Sequence, residues 1–265
     1  MHKTYNGKEF NALCKQKTLI KLTNKWCSHR GYTYKDGLNV DRYKLSPQHK
    51  RGGFCFANMD NISIWLAYYF YEMKYCWDVV IPSDATVIVY DNYYKTDKFV
   101  ISNKRKISDL DCWNNKKFCE NSIKQNPYSI KYANIQTHDM CMIAVQHRGY
   151  LLKYIKHQEY DICLAAVKEN GLAIEYVENI FKDQRLCIEA TKQCGFALKF
   201  IPKDKQTERV CVSAVQNAVM AFTYVDSAYR NACRPGIRNN NLEYKYGSCV
   251  DNKYKIFFNN QKVKQ

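Results

Sequence analysis

Cys163–Val177 reads CLAAVKENGLAIEYV, and Cys187–Ile201 reads CIEATKQCGFALKFI. Both stretches have a leading cysteine, an alanine three residues on, a glycine eight on, and an aliphatic–aromatic ending. The pattern extends in both directions. Cys119, Cys141, Cys163, Cys187 and Cys211 follow one another at 22 or 24 residues, with Cys233 another 22 beyond. Thirteen residues after each of the first five stands an aromatic: Tyr132, Tyr154, Tyr176, Phe200 and Tyr224. Self-similarity at a fixed period signals repeated supersecondary units, none of which can bury its apolar face alone.

Each repeat reads as two short helices. Apolar residues at offsets 0, +1, +3 and +4 from the cysteine share one face of a 3.6-residue period. Gly149, Gly171 and Gly195, at offset +8, read as left-handed helix ends, and Thr137, Asp183 and Thr207 as caps of the next helix. The repeated cysteines read as core positions, because free cysteine is among the most buried residue types. Cys194 falls off that register and reads as an exposed thiol. The aromatics at +13 are expected to point inward in one row. Over residues 112–230 this predicts five two-helix repeats stacked as an all-α solenoid, with no β-sheet.

The residues just quoted resemble the short repeats known as domain of unknown function 4116, which are abundant in giant DNA viruses of amoebae. That resemblance implies architecture and no chemistry.

Upstream the pattern changes. Phe54-Cys55-Phe56 follows Gly52-Gly53 as a strand, and Asn61–Met73 reads as a helix with Trp65, Leu66, Tyr69 and Phe70 inward. Two β-branched runs flank a turn at Pro82–Ala85, and Lys98–Ser102 is a further strand. Residues 28–110 are expected to form a small α+β module, behind a lead segment 1–27 and ahead of the repeats; residues 231–265 form a basic tail. The blocks YTYKDGLNVD (32–41), GGFCF (52–56), Val79–Val87 and KTDKF (95–99) resemble an N-terminal module of mimivirus proteins of unknown function. The two resemblances together imply a giant-virus origin.

The chain has 265 residues, of which 46% are hydrophobic, enough for real cores. No apolar run approaches the roughly 20 residues of a membrane span, and no signal-peptide core follows the N-terminus. The expected location is therefore the host cytoplasm or the virion, without secretion. Thirteen cysteines with no CxxC pair argue against both a disulfide framework and a structural zinc site, so neither metal nor cofactor is expected. No phosphate-binding glycine loop and no GxSxG motif occurs.

The order His29-Arg30-Gly31-Tyr32, Gly37-Leu38-Asn39, Gly52-Gly53 resembles ADP-ribosyltransferase-like folds. Such folds imply an early His or Arg holding a dinucleotide and a late strand Glu. Here Glu72 falls on the helix, and the late acids Asp91 and Asp97 are one methylene shorter. His29, Asn39 and Glu72 are thus the catalytic candidates of a degenerate relative, with Cys55 paired to His29 or His49 as a further nucleophile option. His29 and Asn39 read as surface positions, and these groups are expected not to converge.

The net charge of +16 calls for acidic partners or solvated faces. Candidate binding residues are Lys131, Lys153 and Lys199 at offset +12 of the repeats. The basic clusters add His49-Lys50-Arg51, Lys104, Arg105 and Lys106, and in the tail Arg234, Arg238, Lys253 and Lys255, interleaved there with aromatics. The reading is a non-enzymatic interaction protein of a giant virus, its repeats a scaffold for an unidentified protein partner. The alternatives are a nucleic-acid-associated basic protein and a degenerate transferase. No membrane association is expected.

Overall fold

The computed structural model describes residues 2–47, 52–68 and 73–239, which fall into two compact units, 1–135 and 136–265. The first is sheet-rich and the second helical. Among the described residues no helix is long and apolar enough to cross a membrane.

The N-terminal unit is built on an eight-stranded antiparallel sheet. Its strands are β1 (Lys3–Asn6), β2 (Leu19–Thr23), β5 (Gly37–Val40), β6 (Phe54–Asn58), β7 (Tyr75–Val80), β8 (Thr86–Val89), β9 (Tyr94–Thr96) and β10 (Lys98–Lys106). They are ordered β1-β8-β9-β6-β2-β7-β10-β5, and β3 (Ser28–His29) pairs with β4 (Tyr32–Thr33) as a separate ribbon. The expected strands at 54–56, on both sides of Pro82–Ala85 and at 98–102 are present. The segment 1–27 is not a lead: β2 lies between β6 and β7, and α1 (Gly7–Leu13) packs Phe10 into the core. The run Leu19–Thr23 (LIKLT), apolar but for Lys21 and Thr23, is buried along its whole length, which a central strand requires. Phe10, Tyr34, Phe54, Phe56, Trp77, Tyr94 and Phe99 form the core, several of them edge-to-face. Gly52 and Gly53 enter β6 with φ of 105° and 95°, a turn closed by the Gly53 amide donating to Asp41 Oδ2 at 2.6 Å.

The expected helix after β6 is present as α2 (Ile62–Tyr68), entered through a 3₁₀ turn at Met59–Asn61 that Asn58 caps, its side chain accepting from the Asn61 amide. The first repeat also belongs to this unit. Its helix α3 (Lys116–Gln125) packs on α2, where Ser63 donates to Gln125 Oε1 and Asn126 Nδ2 donates to Ser63 O at 3.0 Å. Trp113 is fully buried, stacked on Tyr132, with its indole N–H on Ile107 O. The domain boundary therefore falls after the first repeat, because hydrogen bonds and packing tie that repeat to α2.

The C-terminal unit carries α4 (His138–His147), α5 (Tyr160–Glu169), α6 (Gln184–Gln193), α7 (Glu208–Asn217) and α8 (Arg230–Asn239). Each of α4–α7 is followed by a six-residue 3₁₀ helix: Gly149–Tyr154, Gly171–Tyr176, Gly195–Phe200 and Val219–Tyr224. Each α-helix packs on the next, and so does each 3₁₀ helix. No strand occurs among the described residues of 112–230. Two-helix repeats are present, the second element being 3₁₀.

The repeat glycines work differently from the expectation. Gly149, Gly171 and Gly195 are not among the positive-φ residues. A Cβ on each would stand 2.2–2.4 Å from the carbonyl oxygen of Ala166, Ala190 or Ala214, the offset +3 alanine of the following repeat. They are glycines because neighbouring backbones touch there. Cys119, Cys141, Cys163, Cys187 and Cys211 are all buried and free, as expected. Cys194 is fully buried too, its Cβ packed against Gly171 of the preceding repeat, so it is not the exposed thiol of the array.

Candidate functional site

Two places collect the residues the sequence singled out. The first is inside the N-terminal unit. Alternation along β2 puts Leu19, Lys21 and Thr23 on the core face, and Lys21 is fully buried there. Its Nζ donates to Cys55 O at 2.7 Å, lies 2.9 Å from His29 Nδ1, and stands 4.6 Å from the centre of the Tyr34 ring. Burial pulls the Lys21 amine down to about 7, with Arg30 lowering it further against an opposing contribution from Cys55. Burial, then Lys21 and Arg30, pulls His29 down to about 2, so the imidazole is neutral and Nδ1 accepts from the ammonium. Arg30 Nη1 reaches Cys55 Sγ at 3.8 Å.

Lys21 thus joins the His29 ring to the backbone carbonyl of Cys55, while the Cys55 thiol has Arg30 beside it. His29 reaches Lys21 because the β3–β4 ribbon folds against β2. His29 and Asn39 are buried, not surface residues. Asn39 serves its own turn, donating to Lys35 O and Gly37 O and accepting from the Lys35 amide. Glu72 and His49 lie outside the described residues, and Asp91 is exposed. Lys21 was missed because 1–27 read as a lead; its signal was a single lysine inside an apolar run. The Lys21 cation is held by a carbonyl, an imidazole nitrogen and a ring face, and the residue is fully buried.

The second place is the surface of the repeats. The core columns are offsets +10, +11 and +14, such as Ala173, Ile174 and Val177. Tyr154, Tyr176, Phe200 and Tyr224 are half-buried, so the +13 aromatics do not point fully inward. At +9, Tyr150, Leu172 and Phe196 are half-buried, and Met220 is 53% exposed. Lys153 Nζ lies 4.8 Å from the Tyr154 ring and 5.4 Å from the Tyr150 ring, so the two columns adjoin. Lys131 and Lys199 stand over Tyr132 and Phe200 in the same way. The outcome is an apolar band that recurs on four successive 3₁₀ helices, with a lysine beside it on two of them (Lys153 and Lys199) and Glu175 and Thr223 at the same offset on the others. An open groove of about 510 Å³ on the α-helical side, lined by Ile188, Lys192, Arg209 and Val212 among others, serves one pair of helices only.

Residue types inside the repeats explain how the band is held. Gln136 and Gln158, five residues before a repeat cysteine, donate to the closing turn of their own repeat, whereas Gln206 in the same place donates to Ile201 O of the preceding repeat and accepts from the Asp226 amide of its own. Gln158 donates to Tyr176 O at 2.7 Å and accepts from the Glu178 amide and the Cys163 thiol. Lys182 takes the same position before Cys187 and reaches Phe200 O. This column was legible in the sequence and was not read. Thr137 and Asp183 cap their helices as expected, whereas Thr207 stands at the cap position without a capping bond. His138, Glu159 and Asp161, all exposed, bring ligand-type atoms within 4.8 Å of one another. His138 Nε2 lies 2.7 Å from Asp161 Oδ2, which raises the imidazole. One repeat later Tyr160 donates to Asp183 at the matching place, so the position links successive helices.

Of the other basic candidates, Lys104, Arg105 and Lys106 end β10, with Arg105 paired to Asp78. Arg234 is exposed on α8, and Arg238 belongs to the same helix. Lys50, Arg51, Lys253 and Lys255 lie outside the described residues.

Residues 137–182 and 159–230 match the family described as Domain of unknown function (DUF4116). The matched stretch is a DUF4116 element. It begins at the Thr137 cap and ends with the fifth repeat, so the DUF4116 element coincides with α4–α7 and their 3₁₀ helices. No curated protein and no solved structure matches the chain.

Proposed function

We propose that the chain is a non-enzymatic interaction protein whose DUF4116 repeats stack as an α-solenoid and bind a protein partner along the +9/+13 band. One observation carries this: in four successive repeats an aromatic at +13 stays half-exposed beside a further apolar side chain, although the core is already filled by other columns. Aromatic and apolar surface kept in register over several repeats, with polar side chains beside it, has the composition of a protein-binding face. The full burial of Lys21, its ammonium held by Cys55 O and His29 Nδ1, favours a structural role for that group over transferase chemistry. A giant-virus origin, and action in the host cytoplasm or virion, belong to the same reading.

The test is affinity capture from the cells in which the protein is made, with the wild type beside Tyr176→Ser/Phe200→Ser. A protein recovered with the wild type and lost with the folded double variant is expected. Equal recovery with both would overturn the band as the binding face.

A further inference from the structure

Three segments meet at one end of the sheet. Thr23, at the end of β2, pairs with Tyr75 at the start of β7, and Tyr75 pairs with Lys106 at the end of β10. The turn 24–28 follows β2 directly. Asn24 Oδ1 accepts from the Trp26 and Ser28 amides at 3.0 Å, and Cys27 takes φ of 56°. The turn so fixed leaves Trp26 68% exposed, unusual for an indole with no core to fill. A bulge between Ser102 and Arg105, with Asn103 at φ of 51°, redirects the end of β10. Lys104 Nζ lies 4.1 Å from the Tyr75 ring centre, Lys74 Nζ 5.9 Å from it, and Lys25 Nζ 4.2 Å from the Trp26 ring.

Lys25, Lys74, Lys104 and Lys106 are all exposed, and none is in an ion pair among the described residues. The nearby carboxylate Asp78 is taken by Arg105 and Asn103. Four ammonium groups outside any ion pair, around the exposed Trp26 ring and the half-buried Tyr75 ring, ask for a ligand with several negative charges and flat apolar faces. Phosphates supply the first and unpaired bases the second; a duplex hides the base faces that would stack. We propose that this end of the sheet binds single-stranded nucleic acid, Trp26 and Tyr75 stacking on bases and the four lysines meeting phosphates.

The experiment is fluorescence anisotropy of the full chain with labelled 12-residue oligo(dT), oligo(U) and a 12-base-pair duplex, over a salt series. The expected result is that both single strands bind more tightly than the duplex. Trp26→Ala should weaken the single strands about tenfold. Lys104→Ala should reduce the slope of log affinity against log salt by about one. Trp26→Phe, which keeps a stacking ring, should restore most of the binding, and circular dichroism checks that each variant is folded. Lys253→Ala/Lys255→Ala should leave the single-strand preference in place. The proposal is overturned if Trp26→Ala and Lys104→Ala bind like the wild type, if the duplex binds as well as the single strands, or if no oligonucleotide binds at low salt. None of these outcomes bears on the repeat band, whose variants lie in the other unit.

Discussion

A lysine ammonium taken from water into an apolar interior loses several kcal/mol of hydration, and Lys21 recovers part of it from Cys55 O, His29 Nδ1 and the Tyr34 ring. The remainder shows in its amine, lowered to about 7. Between that value and the ordinary lysine value, the unfolded chain binds a proton that the folded chain does not, so stability rises with pH there. His29, pulled down to about 2, acts in the same direction at lower pH: acidification below its ordinary value favours unfolding. Buried thiols such as Cys76, raised to about 12, oppose the trend only above about pH 8.5, where a free thiol ionises. The N-terminal unit should therefore gain on the order of 1 kcal/mol between pH 7 and about 8.5. Lys21→Met should abolish that gain. Urea denaturation at the two pH values reads the difference, and an unchanged slope in the variant would show that Lys21 is not its source.

At the scale of elements, a short 3₁₀ helix has poor hydrogen-bond geometry and needs help at its end. The residue five before the cysteine gives that help, a glutamine before Cys141, Cys163 and Cys211 and Lys182 before Cys187. Gln206 is buried; it donates to Ile201 O at 3.1 Å and accepts from the Asp226 amide at 3.1 Å. Gln206→Leu keeps the volume and strands both backbone groups, so it should destabilise the C-terminal unit by about 2 kcal/mol. Chemical denaturation followed by helical circular dichroism measures it, and a loss under about 0.5 kcal/mol would mean that the clamp contributes nothing. In the same helices Thr191 fills a column otherwise held by aliphatic residues, and its hydroxyl donates to Cys187 O within its own turn.

At the scale of the whole molecule, the position of β2 makes the first 27 residues essential to the N-terminal unit. Without them β6 and β7 lose their shared neighbour, and the core loses Phe10 and Leu19. Deleting 1–27 should abolish amide protection in β6, β7 and β10 while α4–α7 remain protected, as hydrogen exchange would show. Retained protection in β7 would refute the central role of β2.

The spacing of the cysteines, glycines and aromatics determined the repeats by itself, because each position depends on neighbours at a fixed distance along the chain. The strands around Pro82–Ala85 were legible for the same reason: alternation and turn residues are local signals. Which repeat joined which unit was not legible, since α3 is claimed by Ser63, about sixty residues away. Nor was the meeting of Lys21 with His29 and the Cys55 carbonyl, or of Lys104 with the Tyr75 ring. Those groupings follow from strand order and register, which long-range pairing sets, and no local pattern in the chain records which strands will lie side by side.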